Sequence, residues 1–237
     1  VFMKSLHKHS HEEMVLSLTH EESLKEYKES ADGLKIHWLP SILGTLLVTL
    51  GNLVFGEKPS YGKFKAVEVI ARIPYQSWEV ASYMFLTMFY ANEKKAIELI
   101  HTSHFGRAAQ DNETMHVIVI SQLAKKYNQD SFFRHTFIPL AFSFFYFTAS
   151  FILYIINPKY SFELNYLFES HAFDQYSRFV TENAEDLRSK AVMIEFLEHY
   201  GRFPKSEYEL FVSIRNDELI HRNASAHEVE KYSKGKA

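Results

Sequence analysis

The sequence predicts an all-α protein, with a bundle of four long helices and two further helices that are almost wholly apolar. Three observations favour this class. Glycine and proline are scarce, at 8 and 6 of 237 residues, which disfavours an all-β or loop-rich fold. Long runs contain almost no helix-breaking residues, and no stretch alternates apolar and polar residues between turn signals. The hydrophobic share of 46%, with 21 Phe and 14 Tyr, is enough for one large core.

The same composition excludes several kinds of site and partner. The chain has no cysteine, so disulfides, thiolate metal sites and cysteine nucleophiles are all excluded. The net charge of −3 and the lack of a long basic run argue against nucleic acid as a partner. Histidine is plentiful, at 13 residues, and it is therefore the residue type most able to build a site.

Four helical runs are expected along the chain. The first extends from Phe64 to Leu99, with Pro74 as its main interruption. The others cover residues 107–127, 162–183 and roughly 206–232. The sequence VIVI within the second run would suit a strand if taken alone, but its helical surroundings favour a helix.

We expect a single helical domain over residues 35–232, preceded by a polar segment over 1–34 and followed by a tail over 233–237. The polar segment contains HKHSHEE, whose histidines are His7, His9 and His11. Because this stretch is short, polar and terminal, we interpret it as a mobile tail rather than a metal site.

Two segments are apolar enough to meet a membrane. Residues 36–56 and 136–156 contain no Asp, Glu, Lys or Arg. As a helix, the second segment would be about 31 Å long, which is enough to cross a bilayer. Each segment could be a buried core helix, a transmembrane span, or a helix that lies in one leaflet.

A glutamate and a histidine stand one helical turn apart in two places, as Glu113/His116 and Glu218/His221. Residues at i and i+3 share a helix face, so each pair presents two ligands to one point. Carboxylate and imidazole together suit iron, manganese or zinc. A third pair, Glu98/His101, has the same spacing, so the spacing alone is weak evidence. We expect residues 92–104 to be a solvated helix face or a connection between helices.

Two single glutamates complete a stronger pattern. Glu68 and Glu169 both lie among apolar residues, where an isolated carboxylate costs several kcal/mol unless it has a partner. A four-helix bundle with two metals takes one Glu from each of two helices and a Glu-x-x-His from each of the others. Four carboxylates and two neutral imidazoles balance two ferrous ions. The sequence therefore predicts a ferritin-like four-helix bundle with a dimetal carboxylate centre, which the family resemblance described next implies to be a di-iron centre. The predicted ligands are Glu68, Glu113, His116, Glu169, Glu218 and His221.

Four motifs carry a family resemblance: VEVIARIPY at 67–75, NETMH at 112–116, NPKYSFELNYLFESHAFDQYSRF at 157–179 and VSIRNDELIH at 212–221. In this order they resemble the alternative oxidase family, and most of all its plastid branch. The resemblance covers roughly residues 35–225. It implies a membrane-bound quinol:oxygen oxidoreductase with two iron ions, which oxidises plastoquinol or ubiquinol and reduces oxygen to water. It also implies a thylakoid or other energy-transducing membrane and allows for a homodimer.

The resemblance further implies roles for residues around the six ligands. Asn112 and Asp217 each precede a ligand glutamate and would orient the ligands, and Arg215 would pair with them. Tyr176, two helical turns after Glu169, would supply an electron and a proton. The family's quinol pocket corresponds to Lys63, Val67, Phe168, His171, Ala172 and Gln175. Lys63 stands where the family usually has arginine, which keeps the charge but loses the planar fork of donors.

Two alternatives to a quinol oxidase remain open. One is another di-iron enzyme, either a hydroxylase or a ferroxidase. The other is a non-catalytic membrane helical protein whose carboxylates pair with Arg and Lys.

The position of the second apolar segment limits the membrane topology. If residues 136–156 crossed the bilayer, the first two ligand helices would lie on one side and the last two on the other. The metal centre could then not assemble. We therefore expect both apolar segments to lie in one leaflet as a monotopic anchor, with Lys35, Trp38 and Lys58 at the interface. An enzyme placed in this way would pump no protons.

Overall fold

The computed structural model describes the backbone of residues 2–234 and the side chains of residues 10–234. The predicted all-α class is confirmed, and the described part of the chain contains only an isolated β-bridge, between Ala191 and Ser206. In chain order the helices are α1 (Phe2–Ser17), α2 (Glu21–Glu29), α3 (Trp38–Phe55), α4 (Tyr61–Ala71), α5 (Ile73–Phe89), α6 (Glu93–Lys126), α7 (Ile138–Ile156), α8 (Pro158–Glu182), α9 (Ala184–Ser189), α10 (Glu195–Tyr200) and α11 (Glu207–Ser233). A short π-helix, Phe133–Phe137, leads into α7.

The four predicted runs form a four-helix bundle. The consecutive helices α4 and α5 pack against α6, and α8 packs against α11. The first run is broken at Arg72, immediately before Ile73 and Pro74 begin α5. Proline has no N–H to donate and its ring crowds the preceding turn, so the break lies where the sequence placed an interruption.

The second run is longer than expected, because α6 begins at Glu93. Residues 92–104 are therefore mostly the first turns of α6, and the side chains of Leu99 and Thr102 there are buried. The sequence VIVI lies within this helix, as expected. Asn92 caps the helix by accepting a hydrogen bond from the backbone N–H of Lys95 at 3.1 Å.

The two apolar segments form α3 and α7 on the outside of the bundle. By length and composition, α3 and the continuous helical stretch Phe133–Ile156 could each cross a membrane. Only 17% of the apolar part of α3 and 33% of that of Phe133–Ile156 are buried within the protein, which does not fit a core helix. Side chains such as Trp38, Leu53 and Phe144 are more than half exposed. Gly44 lets α3 approach α8, since a Cβ there would meet Leu167 at 3.0 Å.

The interpretation of the N-terminal residues as a mobile tail is wrong for the part whose side chains are described. Helix α1 packs against α11, and it buries Val15 and Leu18 to 2% and 1% exposure. His11 reaches the interior of the bundle, where it meets Asp217. The side chains of His7 and His9 lie outside the described residues, as do residues 235–237 of the expected tail.

Candidate metal centre

Side chains from all four bundle helices converge on one buried space. Helix α4 supplies Glu68, α6 supplies Glu113 and His116, α8 supplies Glu169, and α11 supplies Glu218 and His221. All six are at most 3% exposed. The structure thus brings together every residue that the sequence predicted as a ligand.

These side chains form two overlapping groups, and within each group one ligand atom per residue lies within 4.8 Å of the others. The first group consists of Glu68, Glu113, His116 and Glu218. The second consists of Glu113, Glu169, Glu218 and His221. We call them the His116 half and the His221 half. Since Glu113 and Glu218 belong to both, they lie where a bridging ligand would be needed, whereas Glu68 and Glu169 each belong to one half.

The inward atoms of the six side chains are fully buried and make no well-formed hydrogen bond, although the imidazoles lie close to the carboxylates, with His221 Nδ1 2.7 Å from Glu113 Oε1 and His116 Nδ1 3.2 Å from Glu218 Oε1. These atoms are Glu68 Oε2, both carboxylate oxygens of Glu113 and of Glu218, Glu169 Oε2, His116 Nδ1 and His221 Nδ1. A buried polar atom without a partner costs about 1–3 kcal/mol, so such a cluster needs compensation. Carboxylate oxygens and imidazole nitrogens facing one space are a donor set that fits two iron ions.

The pKa values of the site reflect crowded carboxylates in a buried space. Burial raises the pKa of Glu68 to about 7, and burial with the charge of Glu113 raises those of Glu169 and Glu218. Burial would raise the pKa of Glu113 as well, but the charge of His116 holds it below its ordinary value. Metal cations would replace the protons that otherwise relieve this repulsion.

Asp217 links the centre to parts of the chain that are distant in sequence. Its Oδ2 lies 2.9 Å from His116 Nε2, and His116 Nδ1 faces the carboxylates. Its Oδ1 lies 2.8 Å from His11 Nε2 and accepts from Arg202 Nη2 at 3.1 Å. Arg202 also binds Glu12 of α1. Burial opposes ionisation, but the Arg202 charge holds the pKa of Asp217 well below its ordinary value.

The structure alters the expected roles of two further polar residues. Arg215 does not pair with Asp217; its guanidinium binds the side chain of Asn216, and Arg202 fills the place expected for it. Asn112 is buried and donates to Tyr200 Oη at 3.0 Å, so its described contact is with α10 rather than with a ligand.

Two tyrosines donate hydrogen bonds to the ligand glutamates. Tyr176 follows Glu169 on α8, but its hydroxyl donates to Glu68 Oε1, and its ring stacks on Phe64 at 4.1 Å. Tyr75 on α5 donates to Glu169 Oε1 at 2.7 Å. The sequence had pointed to Tyr176 alone. Burial raises the pKa of both phenols well above the ordinary value, so both stay protonated.

The residues expected in the quinol pocket lie on α4 and α8, beside the apolar helices α3 and α7. Lys63 Nζ binds Gln175 Oε1 at 2.9 Å and also Asn52 of α3 at 2.9 Å. Burial, and then the charge of Arg178, lower the pKa of Lys63. Burial, and then the charge of Lys63, lower the pKa of His171. Phe168 packs against Tyr146 of α7 at 5.5 Å. Val67 is partly exposed and Ala172 is buried.

A surface cavity of about 480 Å³ lies elsewhere. Ser60, Tyr61, Tyr127 and Asp186 are among the residues that line it, and no residue of the expected quinol pocket does so.

The third Glu-x-x-His pair does not join the centre. Glu98 binds Lys95 at 2.9 Å and accepts from Tyr232 at 3.2 Å, while His101 is 60% exposed. This pair therefore has partners of its own, as expected for a helix surface.

Two buried Glu-x-x-His pairs and two single glutamates, one set from each helix, define a four-helix-bundle protein with a dimetal carboxylate site. The chain belongs to the alternative oxidase family, whose sequence model matches residues 15–230. The resemblance seen in the four motifs is thereby confirmed. Ubiquinol oxidase 4, chloroplastic/chromoplastic, of Arabidopsis thaliana is 24% identical over 182 residues, which cover 68% of this chain and 49% of that protein. The chain thus spans about half the length of the curated relative it matches.

Proposed function

We propose that this protein is a membrane-bound quinol:oxygen oxidoreductase that reduces oxygen to water. The observation that carries the proposal is the pair of overlapping buried ligand groups, which share Glu113 and Glu218. Membership of the alternative oxidase family and the similarity to a ubiquinol oxidase support this activity over a hydroxylase or ferroxidase. Two quinols, either plastoquinol or ubiquinol, would supply the four electrons for one oxygen molecule.

The six buried side chains would hold two iron ions, one in each half of the centre. Bound iron would supply the electron-transfer chemistry between quinol and oxygen. Around it, the protein keeps the space dry, because every ligand residue is at most 3% exposed. Asp217 holds the His116 imidazole with Nδ1 toward the carboxylates, which fixes its orientation.

Tyr176 is proposed as the side chain that supplies an electron and a proton during turnover. Its hydroxyl already donates to Glu68 Oε1, so the proton has an acceptor within the centre. The stacked ring of Phe64 keeps the phenol in place. The alternative is that Tyr176 only satisfies a buried carboxylate.

Quinol would reach the centre from the membrane side. Lys63 connects α4 to α8 through Gln175 and to the anchor helix α3 through Asn52. A quinol head group between these helices would meet the Lys63 ammonium, with His171 and Phe168 on the adjoining face of α8. Val67 and Ala172 complete the proposed pocket.

The anchor is proposed to be monotopic, with α3 and α7 in one leaflet. Helix α7 connects α6 to α8, and both carry ligands, so its two ends must lie on the same side of the membrane. The chain has no cysteine, so single cysteines can be placed at the exposed positions Lys125 and Asp174. An impermeant maleimide should label both from the same side of a vesicle. Labelling from opposite sides would contradict both the anchor and the shared metal centre.

Iron analysis and oxygen uptake test the activity. Purified protein should contain two iron ions per chain and consume oxygen with a plastoquinol or ubiquinol analogue, insensitive to cyanide and antimycin. Absence of iron would favour the non-catalytic helical protein. Iron without quinol-dependent uptake would favour a hydroxylase or ferroxidase.

Light scattering of the detergent-solubilised protein tests the proposed homodimer. Fractionation tests the proposed location in a thylakoid or other energy-transducing membrane.

A further inference from the structure

Tyr75 and Tyr176 are related by a reciprocal pattern. Tyr176 follows Glu169 along the chain and donates to Glu68. Tyr75 follows Glu68 at the same sequence separation and donates to Glu169 at 2.7 Å. Glu68 is thus bound by the tyrosine that follows Glu169, and Glu169 is bound by the tyrosine that follows Glu68.

The hydroxyls bind one oxygen of each glutamate and leave the other oxygen facing the centre. Tyr176 binds Glu68 Oε1 and Tyr75 binds Glu169 Oε1, whereas Oε2 of both glutamates makes no hydrogen bond. The shared glutamates Glu113 and Glu218 receive no bond from a tyrosine, and their oxygens face the imidazoles, with Glu113 Oε1 2.7 Å from His221 Nδ1 and Glu218 Oε1 3.2 Å from His116 Nδ1. Because a tyrosine occupies one oxygen of Glu68 and of Glu169, each of these carboxylates has one oxygen left as a possible metal ligand, whereas Glu113 and Glu218 have two.

The surroundings of Tyr75 hold its hydroxyl in one position. The side chain is fully buried, and its oxygen accepts from Asn165 Nδ2 at 3.0 Å. Asn165 is itself bound to Ser225 Oγ at 3.0 Å. The Tyr75 ring meets His221 edge-on at 5.5 Å. Gly106 of α6 packs so closely that a Cβ there would lie 2.8 Å from the Tyr75 carbonyl oxygen, which fixes the backbone.

We propose that Tyr75 is a positioning residue for the His221 half of the centre. It holds Glu169 through Oε1 and leaves Oε2, which makes no hydrogen bond, free to serve as a ligand atom if a metal ion were held in that half. This inference rests on the proposed dimetal centre and adds to it a residue that acts through Glu169. Loss of the hydroxyl would free Glu169 to rotate, and loss of an outer partner of a ligand typically lowers metal affinity about 10–100-fold.

The test is an anaerobic titration of the metal-free protein with Fe²⁺ or Mn²⁺. The wild type should bind two equivalents. Tyr75→Phe should bind one equivalent as the wild type does and the other at least tenfold more weakly. Tyr232→Phe is the matched control, because it removes a phenol–glutamate bond from a neighbouring part of the core whose glutamate, Glu98, is outside the centre. It should bind both equivalents normally.

A cycle with Glu169→Gln separates positioning from general loss of structure. If Tyr75 acts through Glu169, adding Tyr75→Phe to Glu169→Gln should weaken binding no further. An equal loss in both backgrounds, or wild-type affinity in Tyr75→Phe, would overturn the proposal. Should Tyr75→Phe fail to fold, Asn165→Ala decides, because it keeps the phenol but removes its partner. Asn165→Ala should weaken binding of the metal equivalent that depends on Tyr75, with a smaller loss of affinity than removal of the hydroxyl would cause. Wild-type affinity for both equivalents in Asn165→Ala would also overturn the proposal.

The titration also distinguishes this inference from the function on which it rests. A wild type that binds fewer than two equivalents would contradict the dimetal centre itself. Two equivalents in the wild type with no effect of Tyr75→Phe would contradict only the role of Tyr75.

Discussion

Asp217→Asn tests how far the centre depends on contacts outside its ligands. The substitution keeps the shape of the side chain and removes its charge. Asp217 is fully buried and has four described contacts: one with His116, one with His11, and two with the Arg202 guanidinium. An asparagine replaces one acceptor oxygen by a donor group, so it cannot satisfy all of these donors.

We expect Asp217→Asn to lower both the free energy of unfolding and the affinity for metal. Arg202 is 6% exposed and, among the residues whose side chains are described, would retain Glu12 alone as an anionic partner, itself 24% exposed. Breaking a buried ion pair typically costs about 3–5 kcal/mol, and the remaining Glu12 contact places this case near the lower end. His116 would also lose the anion that orients it, which should lower metal affinity by about 10–100-fold. That factor corresponds to about 1.4–2.8 kcal/mol of binding free energy.

Urea unfolding of the metal-free protein measures the loss of stability at Arg202, and metal titration measures the loss of affinity at His116. Asp174→Asn is a suitable control, because Asp174 lies on an exposed face of α8. We expect the control to match the wild type in both measurements. Wild-type unfolding and wild-type metal affinity in Asp217→Asn would refute the inference that Asp217 fixes both Arg202 and the His116 imidazole.

Five other substitutions give distinct outcomes. Glu113→Ala should lose most bound iron and all oxidase activity, whereas Glu98→Ala should lose neither; equal loss in metal analysis would mean that the wrong pair was chosen as ligands. Tyr176→Phe should keep its iron and helicity but slow oxygen uptake at least tenfold, about 1.4 kcal/mol in the barrier, and rapid mixing with oxygen should show a tyrosyl radical only in the wild type. Lys63→Arg should change the KM for quinol without changing iron content, because the contacts of Lys63 lie outside the metal centre. Burial raises the pKa of Glu163 above 4.5, so ionisation of this carboxyl costs stability as the pH rises past that value. In urea unfolding, the free energy of unfolding of Glu163→Gln should therefore increase relative to that of the wild type as the pH rises from about 5 to about 8.

The helices and the six converging side chains could be predicted because their signals are local. A Glu-x-x-His pair lies on one helix face whatever surrounds it, and apolar neighbours show which face is buried. The same reasoning failed for Arg215. On a helix with 3.6 residues per turn, a residue two positions before Asp217 points to a nearly opposite side. Arg215 therefore binds Asn216 instead.

The outer partners could not be predicted because they depend on tertiary packing. Arg202 lies in the connection between α10 and α11, and His11 lies in α1, far from Asp217 along the chain. Nothing in their own neighbourhoods indicates a buried anion. Tyr75 is different, since its separation from Glu68 equals that of Tyr176 from Glu169. This parallel is present in the sequence, but its meaning depends on which carboxylate each hydroxyl reaches.

The two halves of the centre are similar in their inner side chains and different in their outer contacts. The imidazole of His116 is held by Asp217, whose negative charge is fixed by Arg202. Asn112 stands at the corresponding place before Glu113, yet it is neutral and its described contact is with Tyr200. An anionic partner raises the basicity of a ligating imidazole, so the His116 half is the more strongly donating of the two. The two halves would therefore bind metal unequally, because Asp217 of α11 contacts His116 and is itself held by Arg202, which lies in the α10–α11 connection.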